Sequence, residues 1–126
     1  MSTELEHANV TVSDADKTAA WMTRLFGWKI RWHGPAIDGG QSIHVGSDTS
    51  YLALYQPANQ IGAGTSSYET AGGLNHLAVT VTDIDAMEDA VRKAGFHPKS
   101  HADYEPGRRF YFNDGDGIEF EIVQYD

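Results

Sequence analysis

Residues Leu74–Asp85 read LNHLAVTVTDID, and residues Leu5–Asp16 read LEHANVTVSDAD. With an offset of 69 the two stretches agree at 7 of 12 positions, as Leu, His, Val, Thr, Val, Asp and Asp. In a chain of 126 residues that is an internal repeat, and a repeat governs how every other residue is read. Each copy alternates apolar and polar residues and then reaches an Asp ahead of a helical pattern. Each is therefore a strand running into a capped helix.

Working outward, residues 4–12 form the first strand, with His7, Asn9 and Thr11 on one side and Val10 and Val12 on the other. Ser13 or Asp14 caps a helix whose stripe is Trp21, Met22, Leu25 and Phe26, and Gly27 stops it. Trp28–Trp32, Ser42–Gly46 and Tyr51–Gln56 follow as strands, with Gly34–Gly40 as a turn-rich loop and Ser47–Ser50 closing a hairpin. Residues Pro57–Gly73, rich in Gly, Ser, Pro and Thr, read as a linker. After it the plan recurs at an offset of 68: Ile84, Met87, Val91 and Ala94 form a stripe, Gly95 stops it, and Glu119–Gln124 falls on Tyr51–Gln56. Phe96–Ser100, Phe110–Asn113 and Ile118–Tyr125 complete the strands, with the Asp114–Gly117 turn joining the last two. The chain is thus two β-α-β-β-β modules, 1–56 and 74–126, joined by 57–73. This is an α+β fold in which a module cannot cover both faces of its own sheet, so modules must pair.

Composition narrows the function. A net charge of −9 opposes binding to nucleic acid. No run approaches the roughly 20 apolar residues of a membrane span. The absence of Cys removes thiol chemistry and disulfides and, with an N-terminus that lacks a leader pattern, points to the cytoplasm.

The repeat places His7 and His76 at equivalent positions on equivalent strands, opposite the valines that face the helices. Glu121 on the last strand lies between Phe120 and Ile122 and takes the face those two avoid. Two His and one carboxylate on converging strands can hold a divalent metal with positions left open. The plainer reading of a strand His is a hydrogen-bonded structural residue. Asn9 and Thr80 share this face as candidate substrate contacts, as do the rings of Tyr51 and Tyr55. Arg108 and Arg109 read first as solvated hairpin residues, with the holding of an anionic substrate group as the alternative for both. Glu119 is a possible but inferior ligand. His33, His44 and His97 have no partner spacing and read as structural, and Asp114 and Asp116 as turn residues.

The openings around His7 and His76, with FYFNDGDGIEFEIV at Phe110–Val123, resemble the vicinal oxygen chelate superfamily of glyoxalases, bleomycin- and fosfomycin-resistance proteins and extradiol dioxygenases. The resemblance implies a cupped mixed β-sheet with helices outside, a homodimer, a small oxygen-rich substrate and a metal held by His7, His76 and Glu121. Fe or Mn would suit dioxygenase chemistry, and Zn or Ni a lyase. The family's fourth ligand place falls on Ala53, where an alanine can neither ligate nor act as a base. Tyr111 stands where extradiol enzymes carry a catalytic Tyr. No organic cofactor is implied. Two classes of function follow: a metal-dependent lyase or dioxygenase, or a metal-free protein that binds a drug or metabolite as the bleomycin-resistance proteins do.

Overall fold

In the computed structural model, Asp14 and Asp83 both sit in extended backbone, and each accepts a hydrogen bond from the amide three residues on. The Asp14 carboxylate takes the Lys17 N–H at 3.0 Å and Asp83 takes that of Ala86 at 3.1 Å. Each satisfies a donor that the first helical turn leaves free. The helices they start are α1 (Ala15–Phe26) and α2 (Ile84–Lys93). Gly27 follows α1 at φ 70°, a left-handed conformation that costs glycine nothing. The structure describes residues 1–59, 62, 64 and 66–126; Gln60, Ile61, Ala63 and Thr65 of the expected linker lie outside the described residues.

The strands are β1 (His7–Thr11), β2 (Lys29–Pro35), β3 (Gln41–Gly46), β4 (Tyr51–Gln56), β5 (Leu77–Thr80), β6 (Lys99–Tyr104), β7 (Gly107–Asn113) and β8 (Glu119–Tyr125). They form two four-stranded sheets, ordered β1-β4-β3-β2 and β5-β8-β7-β6. In both, the first strand pairs in parallel with the last and the remaining pairs are antiparallel. This is the expected α+β pattern of two β-α-β-β-β modules, and the chain divides into two compact units, Met1–Gly62 and Ala63–Asp126. No helix among the described residues is long and apolar enough to cross a membrane.

The strand bounds differ most at the sheet edges. β2 continues to Pro35, through what the sequence reads as loop, because an edge strand tolerates a residue with no N–H to donate. β6 covers 99–104 instead of 96–100, with a bulge after Lys99. Its sequence, KSHADY, has no apolar alternation to announce it, and the pairing with β7 defines it.

In the first unit α1 packs on β3 and β4. Ala15, Ala19 and Met22 are fully buried there, as are Ile43, Val45 and Leu54. In the second, α2 packs on β8. Ile84 and Val91 are buried with Phe110, Phe112, Phe120 and Ile122. Phe96, Phe112 and Phe120 stack in succession at 5.2 and 5.3 Å between ring centres.

A second hydrogen bond ties each helix start to its sheet. Gln56, ending β4, accepts the Ala15 N–H at 2.8 Å, and Gln124 on β8 accepts that of Ile84 at 2.9 Å. These glutamines are repeat equivalents, and each takes the amide of the first helical residue. Gln124→Ala would leave a half-buried donor unpaired at a cost of about 1–3 kcal/mol. Gln124→Glu keeps the acceptor and adds a negative charge where the helix favours one. Urea unfolding should therefore show a clear loss for the alanine variant and little for the glutamate.

Candidate functional site

Parallel pairing puts register partners on the same face of the sheet. Leu77 and Val79 with Phe120 and Ile122 turn toward α2, so Ala78 and Thr80 share the other face with Glu121 and Val123. His76, just before β5, falls in phase with that other face. Its Nε2 lies 3.0 Å from the Glu121 Oε1, and its Nδ1 lies 3.5 Å from the Glu119 Oε2. Glu121 is buried, and its second oxygen accepts a hydrogen bond from the Arg109 Nη1 at 3.0 Å. Glu119 is held in turn by the Tyr68 hydroxyl, and the Lys99 Nζ is 3.8 Å away. The Glu119 carboxylate pushes the Tyr68 hydroxyl up to about 12. Tyr111, cross-strand from Glu121, presents its ring edge-on to His76 at 5.5 Å. Burial, then the charge of Glu121, raises the Tyr111 phenol, so it stays protonated at neutral pH.

The first module builds a different surface from the same plan. His7, Asn9 and Thr11 pair with Tyr51, Ala53 and Tyr55. β3 then sets His44 opposite Ala53, and β2 sets Trp32 opposite His44. The result is a row of rings across four strands: His7 on Tyr51 at 4.7 Å, Tyr51 on His44 at 4.6 Å, and His44 against Trp32 at 5.0 Å. The Arg31 guanidinium lies over Tyr51 at 4.7 Å. The His7 Nδ1 is 2.9 Å from the Glu6 carboxylate, a bond that holds Glu6 below the usual carboxylate range. Ala53 is buried within this row, and its small side chain leaves the space to the rings beside it.

Some expectations need correcting. His44 has partners, Tyr51 and Trp32, although its spacing suggested none. The signal was present in β3, where His44 alternates with the buried Ile43 and Val45. Arg109 is not a solvated hairpin residue, because its side chain is only 13% exposed and paired with Glu121. Arg108 points the other way and bonds Asp85 on α2 at 2.9 Å. Asp114 accepts from the amides of Asp116 and Ile118, the turn role expected of it. Asn9 and Thr80 lie exposed on their strands. Among the described residues no group of three or more His, Asp or Glu side chains is gathered to hold a metal ion. The pair His76–Glu121 supplies two donors.

A family model described as Glyoxalase/Bleomycin resistance protein/Dioxygenase superfamily matches residues 4–122. The chain belongs to this superfamily. A lactoylglutathione lyase of Arabidopsis thaliana is 27% identical to it over 128 residues, covering 94% of this chain and 43% of that protein. The superfamily member therefore spans less than half the length of that relative. Among solved structures, a glyoxylase/bleomycin resistance protein/dioxygenase domain from Frankia sp. EAN1pec superposes with a TM-score of 0.84 at 22% identity, covering 100% of this chain and 94% of that one. The fosfomycin resistance protein FosX from Listeria monocytogenes, in complex with Mn(II) and sulfate, superposes with a TM-score of 0.73 at 18% identity, covering 100% and 95%. At these identities the structural likeness establishes the fold.

Burial, reinforced by the positive charges of His7 and Arg31 and opposed by Glu6, holds the His44 imidazole below the ordinary histidine value. In an NMR titration of the metal-free protein, His44 should take up its proton at lower pH than a histidine in an unfolded peptide. His7→Gln should move that midpoint upward, because one of the opposing positive charges is gone.

Proposed function

We propose that this protein is a metal-dependent enzyme of the vicinal oxygen chelate type, acting on a small oxygen-rich substrate, with His76, Glu121 and His7 as the metal ligands. The observation that carries the reading is the 3.0 Å approach of the His76 Nε2 to the Glu121 Oε1. Two donor atoms so spaced fit adjacent positions around an ion whose bonds are about 2.1 Å long. The surroundings suit that role: Arg109 holds the other oxygen of Glu121, and the Glu119 carboxylate lies 3.5 Å from the other nitrogen of His76, which has no hydrogen-bond partner among the described residues. A divalent ion bound there would supply Lewis-acid stabilisation of developing oxyanion charge. Tyr111, kept protonated beside His76, is placed to donate a hydrogen bond or a proton to a substrate oxygen. Asn9, Tyr51, Tyr55 and Thr80 are the proposed substrate contacts. Ala53 provides no base, so a reaction that needs one must draw it from another residue.

Metal content of untagged protein, measured after equal exposure to Fe(II), Mn(II), Zn(II) and Ni(II), tests this directly. Wild type should bind one ion per chain. Glu121→Ala, which removes a ligand, should weaken binding more than Glu119→Ala, which removes only a nearby charge. Absence of uptake by wild type, or equal losses in the two variants, would sink the assignment.

A second reading is a metal-free module that holds a planar drug or metabolite. It is favoured by His7, whose ring is already stacked on Tyr51 and bonded to Glu6. Failure of metal uptake together with saturable quenching of Trp32 fluorescence by a planar ligand would make it the better account. We further propose a homodimer, because a four-stranded sheet with one helix leaves a face to cover. Sedimentation velocity at micromolar concentration should give a dimer; a monomer would refute the proposal.

A further inference from the structure

The ring of His7 is held from two directions. Its Nδ1 lies 2.9 Å from the Glu6 Oε1, and the Tyr51 ring stacks on its face at 4.7 Å, nearly parallel at 11°. Tyr51 also reaches Glu6 itself. Its hydroxyl donates to the same Oε1 at 3.4 Å, and its amide donates to the Glu6 carbonyl at 3.1 Å. His44 stacks in turn against Tyr51 at 4.6 Å. Glu6, His7 and Tyr51 therefore close a circle of contacts. The Glu6 side chain is 62% exposed and that of His7 43%, so this closure holds the pair and burial does not.

A carboxylate only accepts hydrogen bonds, so in this pairing the His7 Nδ1 carries the proton. A neutral imidazole has one N–H, and the Nε2 is then left as a bare lone pair. That atom makes no hydrogen bond among the described residues. An imidazole in water prefers the opposite arrangement, with its proton on Nε2, and the Glu6 bond reverses that preference. A carboxylate so placed fixes the tautomer of a ligating histidine and makes its other nitrogen a better donor.

The repeat supplies the contrast. Asn75 stands at the place of Glu6, and His76 has a buried Nδ1 with no hydrogen-bond partner among the described residues. His76 instead has Glu121 beside its Nε2, at the repeat position where the first module has Ala53. The first module thus offers an oriented imidazole without a second donor, and the second offers two donors without the orienting carboxylate.

We propose that Glu6 is a positioning residue: steadied by Tyr51, it fixes His7 as the Nδ1–H tautomer and presents the Nε2 as the donor atom. This deepens the metal reading and rests on it for one point only, that the group taken up by the Nε2 is a metal ion.

Two-bond 1H–15N spectra of the metal-free protein, recorded where the ring is neutral, read the tautomer of His7 directly. Wild type should show a protonated Nδ1 and a bare Nε2. Glu6→Ala should shift the population toward Nε2–H. Glu6→Gln, whose amide oxygen still accepts, should keep the wild-type pattern. Zinc titration then separates position from charge, because both variants lose the same negative charge. Glu6→Ala should bind Zn(II) at least about tenfold more weakly than Glu6→Gln. A predominant Nε2–H tautomer in wild type, an unchanged tautomer in Glu6→Ala, or equal zinc losses in the two variants of a zinc-binding protein would each overturn the role of Glu6. A tautomer set by Glu6 in a protein that takes up no zinc would leave that role standing and remove the metal reading. Zinc uptake by a protein whose His7 tautomer is indifferent to Glu6 would do the reverse.

Discussion

Each module depends on one joint: the parallel pairing of its last strand with its first, fixed by a glutamine that reaches from the last strand to the first turn of the helix. Gln56 accepts the Ala15 amide and Gln124 accepts that of Ile84. Backbone bonds continue the joint, with the Val12 amide donating to the Tyr55 carbonyl and the Val81 amide to that of Val123. A parallel neighbour cannot be reached by a tight turn, so it needs a crossover, and here the helix and two antiparallel strands provide it. Capping the helix from the strand it must pack against makes helix entry and strand register one event. The joint also places the open faces, because it sets Glu121 beside Ala78 and Tyr51 beside His7.

The same architecture carries two different chemistries. The face of β5 and β8 is charged and mutually neutralised, with His76 and Arg109 on the two oxygens of Glu121 and Lys99 and Tyr68 at Glu119. Burying Glu121 is tolerable because both its oxygens are met. The equivalent face of β1 and β4 is aromatic, with Ala53 where a longer side chain would interrupt the rings. A duplicated fold has therefore kept its backbone and divided its polar and planar groups between the copies.

Much of this was legible in the chain. The repeat announced both strand-to-helix openings, and Asp14, Asp83, Gly27 and Gly95 marked the helix limits. Alternation assigned His76 and Glu121 to the face away from the helix, where they meet. Less was legible at the edges. β6 carries no apolar period, and Pro35 reads as a loop residue in sequence, although it pairs with Gln41 of β3. Arg108 and Arg109, adjacent in a hairpin, look alike in sequence. The pleat sends Arg108 to Asp85 and Arg109 to Glu121, and only a known register separates them.

What the sequence determined by itself is the part governed by local periodicity and local bonding: two modules, their helix caps, and the side of each strand on which a residue lies. These need only a period of two or 3.6 and a side chain within reach of its own backbone. Only the tertiary structure decided which residues on a face become neighbours. His44 reaches Tyr51 and Trp32 through three strands, and the unpaired edge of Arg109 arises because Glu121 occupies the other end. Those contacts depend on strand order and register across residues far apart in the chain, and no local pattern carries that information.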